Sequence, residues 1–333
     1  MIVKYALKRL LQLIPLLIVI SIIIFVIIQL PPGDYLTTYI QQLELSGNTV
    51  SQSTIINLTA QYALDKPVYI QYFKWITNII MRGDFGRSFQ WDRPVSEILA
   101  SRLSATILIS LLTLVFVWIV SIPIGIYSAT HQYSFFDYVF IFFGFIGLAI
   151  PGFLIALGAI YFIFVQTGVA LTGLFSPQFL DAPWSVARFM DMLPRLVLVV
   201  FIIGVTQTAG MIRQMRAMML DELQKQYVIT ARAKGLEERK LLFKYPIRMA
   251  INPMVSTIGW VLPGLISGEM IVSIVLNMPT MGPVVKRALM TQDMYLAGSF
   301  LLIVSLLTIF GTLISDILLV AIDPRIKFGG ISE

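Results

Sequence analysis

Residues 10–30 read LLQLIPLLIVISIIIFVIIQL, twenty-one consecutive positions without a charge. About 20 apolar residues in helical form are needed to cross the hydrocarbon of a bilayer. Inside that layer every backbone N–H and C=O must find its partner within the segment, so the stretch is a membrane helix. Lys4, Lys8 and Arg9 ahead of it imitate the start of a secretory signal. The run is too long for the apolar core of such a signal, however, and QLPPGDYL at 29–36 follows it in place of a small-residue cleavage site. It is expected to remain as a first span.

Working outward, the same test finds five more spans, at 105–129, 138–165, 196–212, 255–276 and 297–322. The chain of 333 residues is 57% hydrophobic and only 13% charged, with mean hydropathy +0.85. About a quarter of a soluble domain's residues are charged. The expectation is an all-α integral membrane protein of six transmembrane helices, with a lipid bilayer as its first partner. Pro15, Pro123, Pro151 and Pro263 fall in or near span interiors and should kink them.

Six spans place both termini on one side. With the termini inside, residues 1–9, the inner loop 213–252 and the tail 326–333 with its approach carry 14 of the 24 lysines and arginines. That is 14 in about 70 inner residues against 10 in about 120 outer ones, the inward bias that orients membrane helices. The +6 net charge thus follows from topology and gives no reason to invoke nucleic acid. The outer segment 31–103 balances six basic against six acidic side chains. Within it, Ile70, Phe73, Ile76 and Ile80 recur at helical spacing before Gly83, which predicts a small helical cap rather than a linker. The rest, 104–325, forms a core of five spans.

Enzymatic chemistry lacks its parts. There is no cysteine, and His131 is the single histidine, which removes thiolate and multi-histidine metal sites and argues against a hydrolytic triad. Gly168 and Gly173 have phosphate-loop spacing, but Leu174 and Phe175 stand where Lys and Ser/Thr belong. No catalytic residue, metal or cofactor is expected. Gly264 and Gly268 form a GxxxG, whose ordinary meaning is close helix packing. Glu269 and Asp316 lie within spans, where a carboxylate costs about 2.5–3.5 kcal/mol to insert, so both should face protein or water. Glu269 is a candidate pathway residue. For Asp316, close to the inner end, cytosolic water is the simpler account.

The inner loop, 213–252, is the one long cytoplasmic segment. Its centre, YVITARAKGLEERK at 227–240, is rich in helix formers and interrupted by Gly235. Tyr227, Ala231 and Lys234 share a helical face. Small residues beside an aromatic let a short helix enter a partner's groove, and surrounding cations can pair with acids there.

This stretch resembles the coupling-helix signature of permease subunits in binding-protein-dependent ABC importers. It is closest to the oligopeptide and dipeptide branch, which also moves oligosaccharides. The likeness rests on YVITARAKGL, the later Arg248 and Pro253, and on YALKRLLQLIP, LPPGD, YALDKPVYIQYFKWITNIIMRGDFGRSFQWDRPV and SRLSATILIS, in that order along the chain. The resemblance implies the type I importer permease fold and half of a translocation pathway. It also implies coupling to an ATPase through Tyr227, Thr230, Ala231, Ala233, Lys234, Gly235, Arg248 and Pro253. The partners it implies are a second, different permease, two cytoplasmic ATPases that carry the ATP sites, and an extracytoplasmic solute-binding protein.

Two departures stand out. Tyr245, Pro246 and Met249 replace the branch's usual His, Ala and Asn. After the fifth span, Ser273 replaces a Glu and the following run reads LNMPTMG at 276–282. Trp260, Glu269 and Ser273 are the expected pathway residues, and the solute is left between oligopeptide and oligosaccharide. The competing reading is a proton-coupled secondary transporter working through Glu269 and Asp316. It leaves the inner loop unexplained and calls for internal repeats that the sequence does not display.

Overall fold

A computed structural model of the chain describes residues 2–30, 56, 59–60, 63, 65–88, 90–256 and 270–322. The described residues are overwhelmingly helical. They run α1 (Ile2–Gln29), α2 (Val68–Arg82), a two-residue hairpin of β1 (Arg87–Ser88) and β2 (Arg93–Pro94), then α3 (Val95–Thr130), α4 (Phe135–Ala149) and α5 (Gly152–Thr167). There follow α6 (Val186–Leu223), α7 (Gln226–Ala233), α8 (Glu238–Lys244), α9 (Pro246–Ser256), α10 (Met281–Met290) and α11 (Met294–Ile322). Four of these, α1, α3, α6 and α11, are long and apolar enough to cross a membrane. The expected third span is instead two helices, α4 and α5, bent by 98°. Pro151 explains the break: it cannot donate to the helix behind it, and Ile150 before it is extended at φ −92°, ψ 121°. Pro15 and Pro123 sit inside helices that continue past them. Most of the expected fifth span, with Pro263 and the GxxxG pair, lies outside the described residues.

The chain divides into two compact units, one of residues 8–105 and 280–307, the other of 1–7, 106–279 and 308–333. In the first, Phe25 of α1 meets Tyr72 of α2 edge to face and Trp75 at a tilt, with both ring centroids 5.5 Å away. Ser21 meets the Tyr72 hydroxyl at 2.8 Å, and Gln29 donates to Gln71. The cap helix exists and ends as expected at Gly83, in the left-handed region at φ +64°. Its packing does not follow the apolar row alone. Trp75 is the buried residue, whereas Ile70, Phe73 and Ile80 are exposed. Tyr72 and Trp75 of α2 are the residues that meet Phe25, an aromatic contact that a β-branched side chain could not make. Asp293, 1% exposed, ties the hairpin to the start of α11: it accepts from Ser88 Oγ and Gln90 N and faces Leu296 N.

In the second unit, α6 is the central member, with α4, α9, α5 and α7 packed along it. One buried cluster gathers Val199, Ile202 and Ile203 of α6 with Ile109, Ala156, Val272, Leu276 and Met278. Another gathers Met211, Met215 and Met219 with Val117, Ala129, Ile247 and Met254. Arg195 of α6, 5% exposed, donates to Thr172 O and Ser176 Oγ, while Ser176 N donates to Asp191. These bonds hold the 168–185 connection onto the helix and satisfy a charge that burial would otherwise penalise.

Candidate functional site

The loop 213–252 begins inside α6, where charges return to the helix. At 1.5 Å per residue its 38 residues span about 57 Å, well beyond the ~30 Å of hydrocarbon. Its last turns carry Arg213, Arg216, Asp221 and Glu222. Arg216 donates from Nε and Nη2 to the two carboxylate oxygens of Asp137 at 3.2 and 3.1 Å. Asp137, 1% exposed, also accepts from Tyr133 N at 3.1 Å. One carboxylate therefore pins the 131–134 turn and the start of α4 to the emerging end of α6.

α7 has only eight residues, too few to persist alone in water. Two anchors hold it. Val228 is fully buried, and Glu222, itself 9% exposed, accepts from both the Tyr227 hydroxyl and Lys225 Nζ. Partial burial first, and the hydrogen bond to the Glu222 carboxylate second, push the Tyr227 phenol well above its usual 10.0, so it stays a donor. The helix ends in a Schellman motif: Gly235 N bonds Arg232 O at 3.0 Å, Leu236 N bonds Ala231 O at 3.3 Å, and Gly235 has φ +79°. This left-handed turn is why the glycine stands there. Beyond it, Arg232 donates twice to Glu238 at 3.0 and 2.7 Å, clasping α7 to α8. That bond holds the Glu238 carboxyl below its ordinary range. Leu241 is fully buried, and the rings of Tyr227 and Tyr245 lie 6.2 Å apart.

Six of the eight sequence-expected residues of the loop, Tyr227, Thr230, Ala231, Ala233, Lys234 and Gly235, lie on α7 and its closing turn. Tyr227, Thr230, Ala233, Lys234 and Gly235 are exposed, and Ala231 is half-buried. Arg248 is exposed on α9, and Pro253 is half-buried inside the same helix. The resulting surface is exposed, with small residues beside cations.

The expected pathway residues fare differently. Trp260 and Glu269 lie outside the described residues. Ser273 is fully buried in the chain alone, and its carbonyl accepts from Met278 N at 2.8 Å. With Asn277 N bonding Ile274 O and Asn277 at φ +51°, the helical stretch 270–275 also ends in a Schellman motif. That gives the departing LNMPTMG run a structural reason: Asn277 supplies the left-handed residue. Asp316 of α11 is 8% exposed. Sequence reasoning missed Glu222, Val228, Leu241 and Asp137, which hold the loop. Lys225 three residues after Glu222 was a readable signal; nothing local pointed from Asp137 to Arg216.

Comparison with known proteins gives a consistent result. Residues 121–328 match the family described as binding-protein-dependent transport system inner membrane component, and residues 2–111 match the N-terminal model of the same kind of membrane component. The chain is 34% identical over 325 residues to the oligopeptide transport system permease protein AppB of Bacillus subtilis, covering 97% of this chain and 99% of that one. It is 32% identical to a putative peptide permease protein of Brucella suis, with the same coverage. Against the oligopeptide transport system permease protein OppB of Haemophilus influenzae it is 29% identical, covering 98% and 99%. The chain belongs to the inner membrane components of binding-protein-dependent transport systems, the permease subunits of ABC importers.

Proposed function

We propose that this permease subunit forms half of the pathway of an ATP-driven oligopeptide importer and takes its power stroke from a cytoplasmic ATPase docked on residues 213–252. The observation that carries the coupling is the exposed face of α7, closed by the Gly235 turn and seated through Val228 and Glu222. A short helix held at one side and bare on the other can pass a push to α6 without bending. Peptide is favoured over oligosaccharide because relatives covering nearly the whole chain carry peptide in their names. The distribution of lysine and arginine supports cytoplasmic termini and an inward-facing loop. In this reading a second permease completes the pathway, two ATPases bind ATP, and a binding protein delivers solute to the outer face. Trp260, Glu269 and Ser273 are the proposed pathway residues. ATP chemistry belongs to the partner subunits, and this chain is a transporter component rather than an enzyme.

Co-purification is the test. The tagged chain, solubilised mildly from its native membrane, should bring a second six-span subunit and ATPases. A binding protein from the same assembly should retain peptides in preference to oligosaccharides. Retention of oligosaccharides alone would reverse the solute assignment. A chain that arrives alone and moves solute without ATP, driven by a proton gradient, would overturn the coupling and return Glu269 and Asp316 to the centre.

A further inference from the structure

Along α6, Val205, Thr208, Ala209, Ile212, Arg213 and Arg216 fall on one helical face, an apolar row that ends in two cations. Opposite them, α4 presents Phe140, Phe143 and Gly144, and α3 presents Phe116, Val120 and Ile124. Between the three helices lie two open cavities of about 190 and 370 Å³ that share Phe140, Gly144, Ala209 and Ile212, and so form one groove. Its floor is a close approach of α4 and α6 at two small residues: a β-carbon on Gly144 would stand 3.8 Å from that of Ala209, in van der Waals contact. The lining is almost wholly apolar until Arg213 and Arg216. Arg216 spends Nε and Nη2 on Asp137. Arg213 is exposed and makes no ion pair or hydrogen bond among the described residues.

We propose that this groove is a site for an anionic phospholipid, with one acyl chain along Gly144 and Ala209 and the phosphate on Arg213, assisted by the free edge of Arg216. The lining matches an amphiphile end to end, an apolar length and then a cation where a span leaves the hydrocarbon. A helix from another subunit would need an acid at the same depth to answer Arg213. Phospholipid is also the most concentrated solute around a membrane helix. Assignment to the inner leaflet rests on the orientation proposed above; the lipid chemistry does not.

The test uses the full chain, purified into nanodiscs of equal phosphatidylglycerol and phosphatidylcholine, with retained lipid identified by native mass spectrometry. The wild type should retain phosphatidylglycerol preferentially. Arg213→Gln, at an exposed position, should lower that preference about fivefold, the worth of one surface cation. Gly144→Leu, which fills the groove, should reduce retention of both lipids. An unchanged preference in Arg213→Gln, or none in the wild type, overturns the proposal. So does crosslinking of Gly144→Cys, a unique thiol in this chain, to a second membrane subunit. Labelling of Arg213→Cys by an impermeant maleimide from outside intact cells would refute the orientation alone and leave the lipid preference to stand or fall by itself.

Discussion

The Tyr227 hydroxyl donates to the buried carboxylate of Glu222, five residues back and on the preceding helix. This bond, beside that of Lys225 to the same carboxylate, ties the start of α7 to the end of α6.

Tyr227→Phe is therefore expected to lower ATP-driven uptake several-fold while leaving membrane insertion intact, with a stability loss of about 1 kcal/mol for the hydrogen bond. Transport assays in proteoliposomes beside thermal unfolding of the purified chain check both. The phenol is raised in the folded chain, so the stabilisation it contributes is complete below the ordinary value of 10.0 and is lost only as pH climbs through and above it. The wild-type/Phe difference should accordingly be flat with pH across the neutral range. A difference that titrates near neutrality would contradict this account of the bond.

Gly235 has φ +79° and open space where a β-carbon would stand. Damage from substitution must come from the backbone and not from a clash. A branched residue in this conformation costs about 1–2 kcal/mol, while asparagine tolerates it better. Uptake should rank Gly235 above Gly235→Asn and that above Gly235→Val, with all three inserted equally. Equal uptake in Gly and Val proteins would remove the turn from the coupling mechanism.

Asp137 is buried against Arg216, whose side chain is 24% exposed. Removing one partner strands the other, at a cost of about 3 kcal/mol. Asp137→Asn and Arg216→Gln should each lower the unfolding temperature strongly. The double variant should lose clearly less than the two added together, which a double-mutant cycle measures.

Gly125 of α3 faces Met215 of α6, and a β-carbon there would lie 2.6 Å from Met215 Cβ and 3.1 Å from Ile212 O. Gly125→Ala should destabilise by about 1–3 kcal/mol, because the obstacle is the root of a buried side chain. Gly210 has nothing within 4 Å, so Gly210→Ala should be neutral or stabilising by up to about 1 kcal/mol through helix propensity. Thermal unfolding of the two variants side by side distinguishes a packing role from a simple dislike of glycine.

Much of this was readable in advance, for identifiable reasons. The long helices follow from apolar run length, the break at Pro151 from a missing donor, and the ends at Gly83 and Gly235 from the left-handed conformation that glycine accepts. The apolar row of Ile70, Phe73 and Ile80 has the period that predicts α2, yet the contacts with Phe25 are made by Tyr72 and Trp75. Periodicity predicts a helix; which side is buried depends on what it meets.

In residues 213–252, the sequence alone determined the helical character of α7, the glycine turn and the family, because these reside in contiguous segments. Only the tertiary structure decided what holds them: Glu222 beneath Tyr227, Asp137 beneath Arg216 across 79 positions, and Met215 against Gly125. Runs, periods and turn residues act through neighbouring backbone and so leave a local trace. A buried charge or a close approach is satisfied by whichever group the packed helices bring near, and no local pattern of residues carries that information.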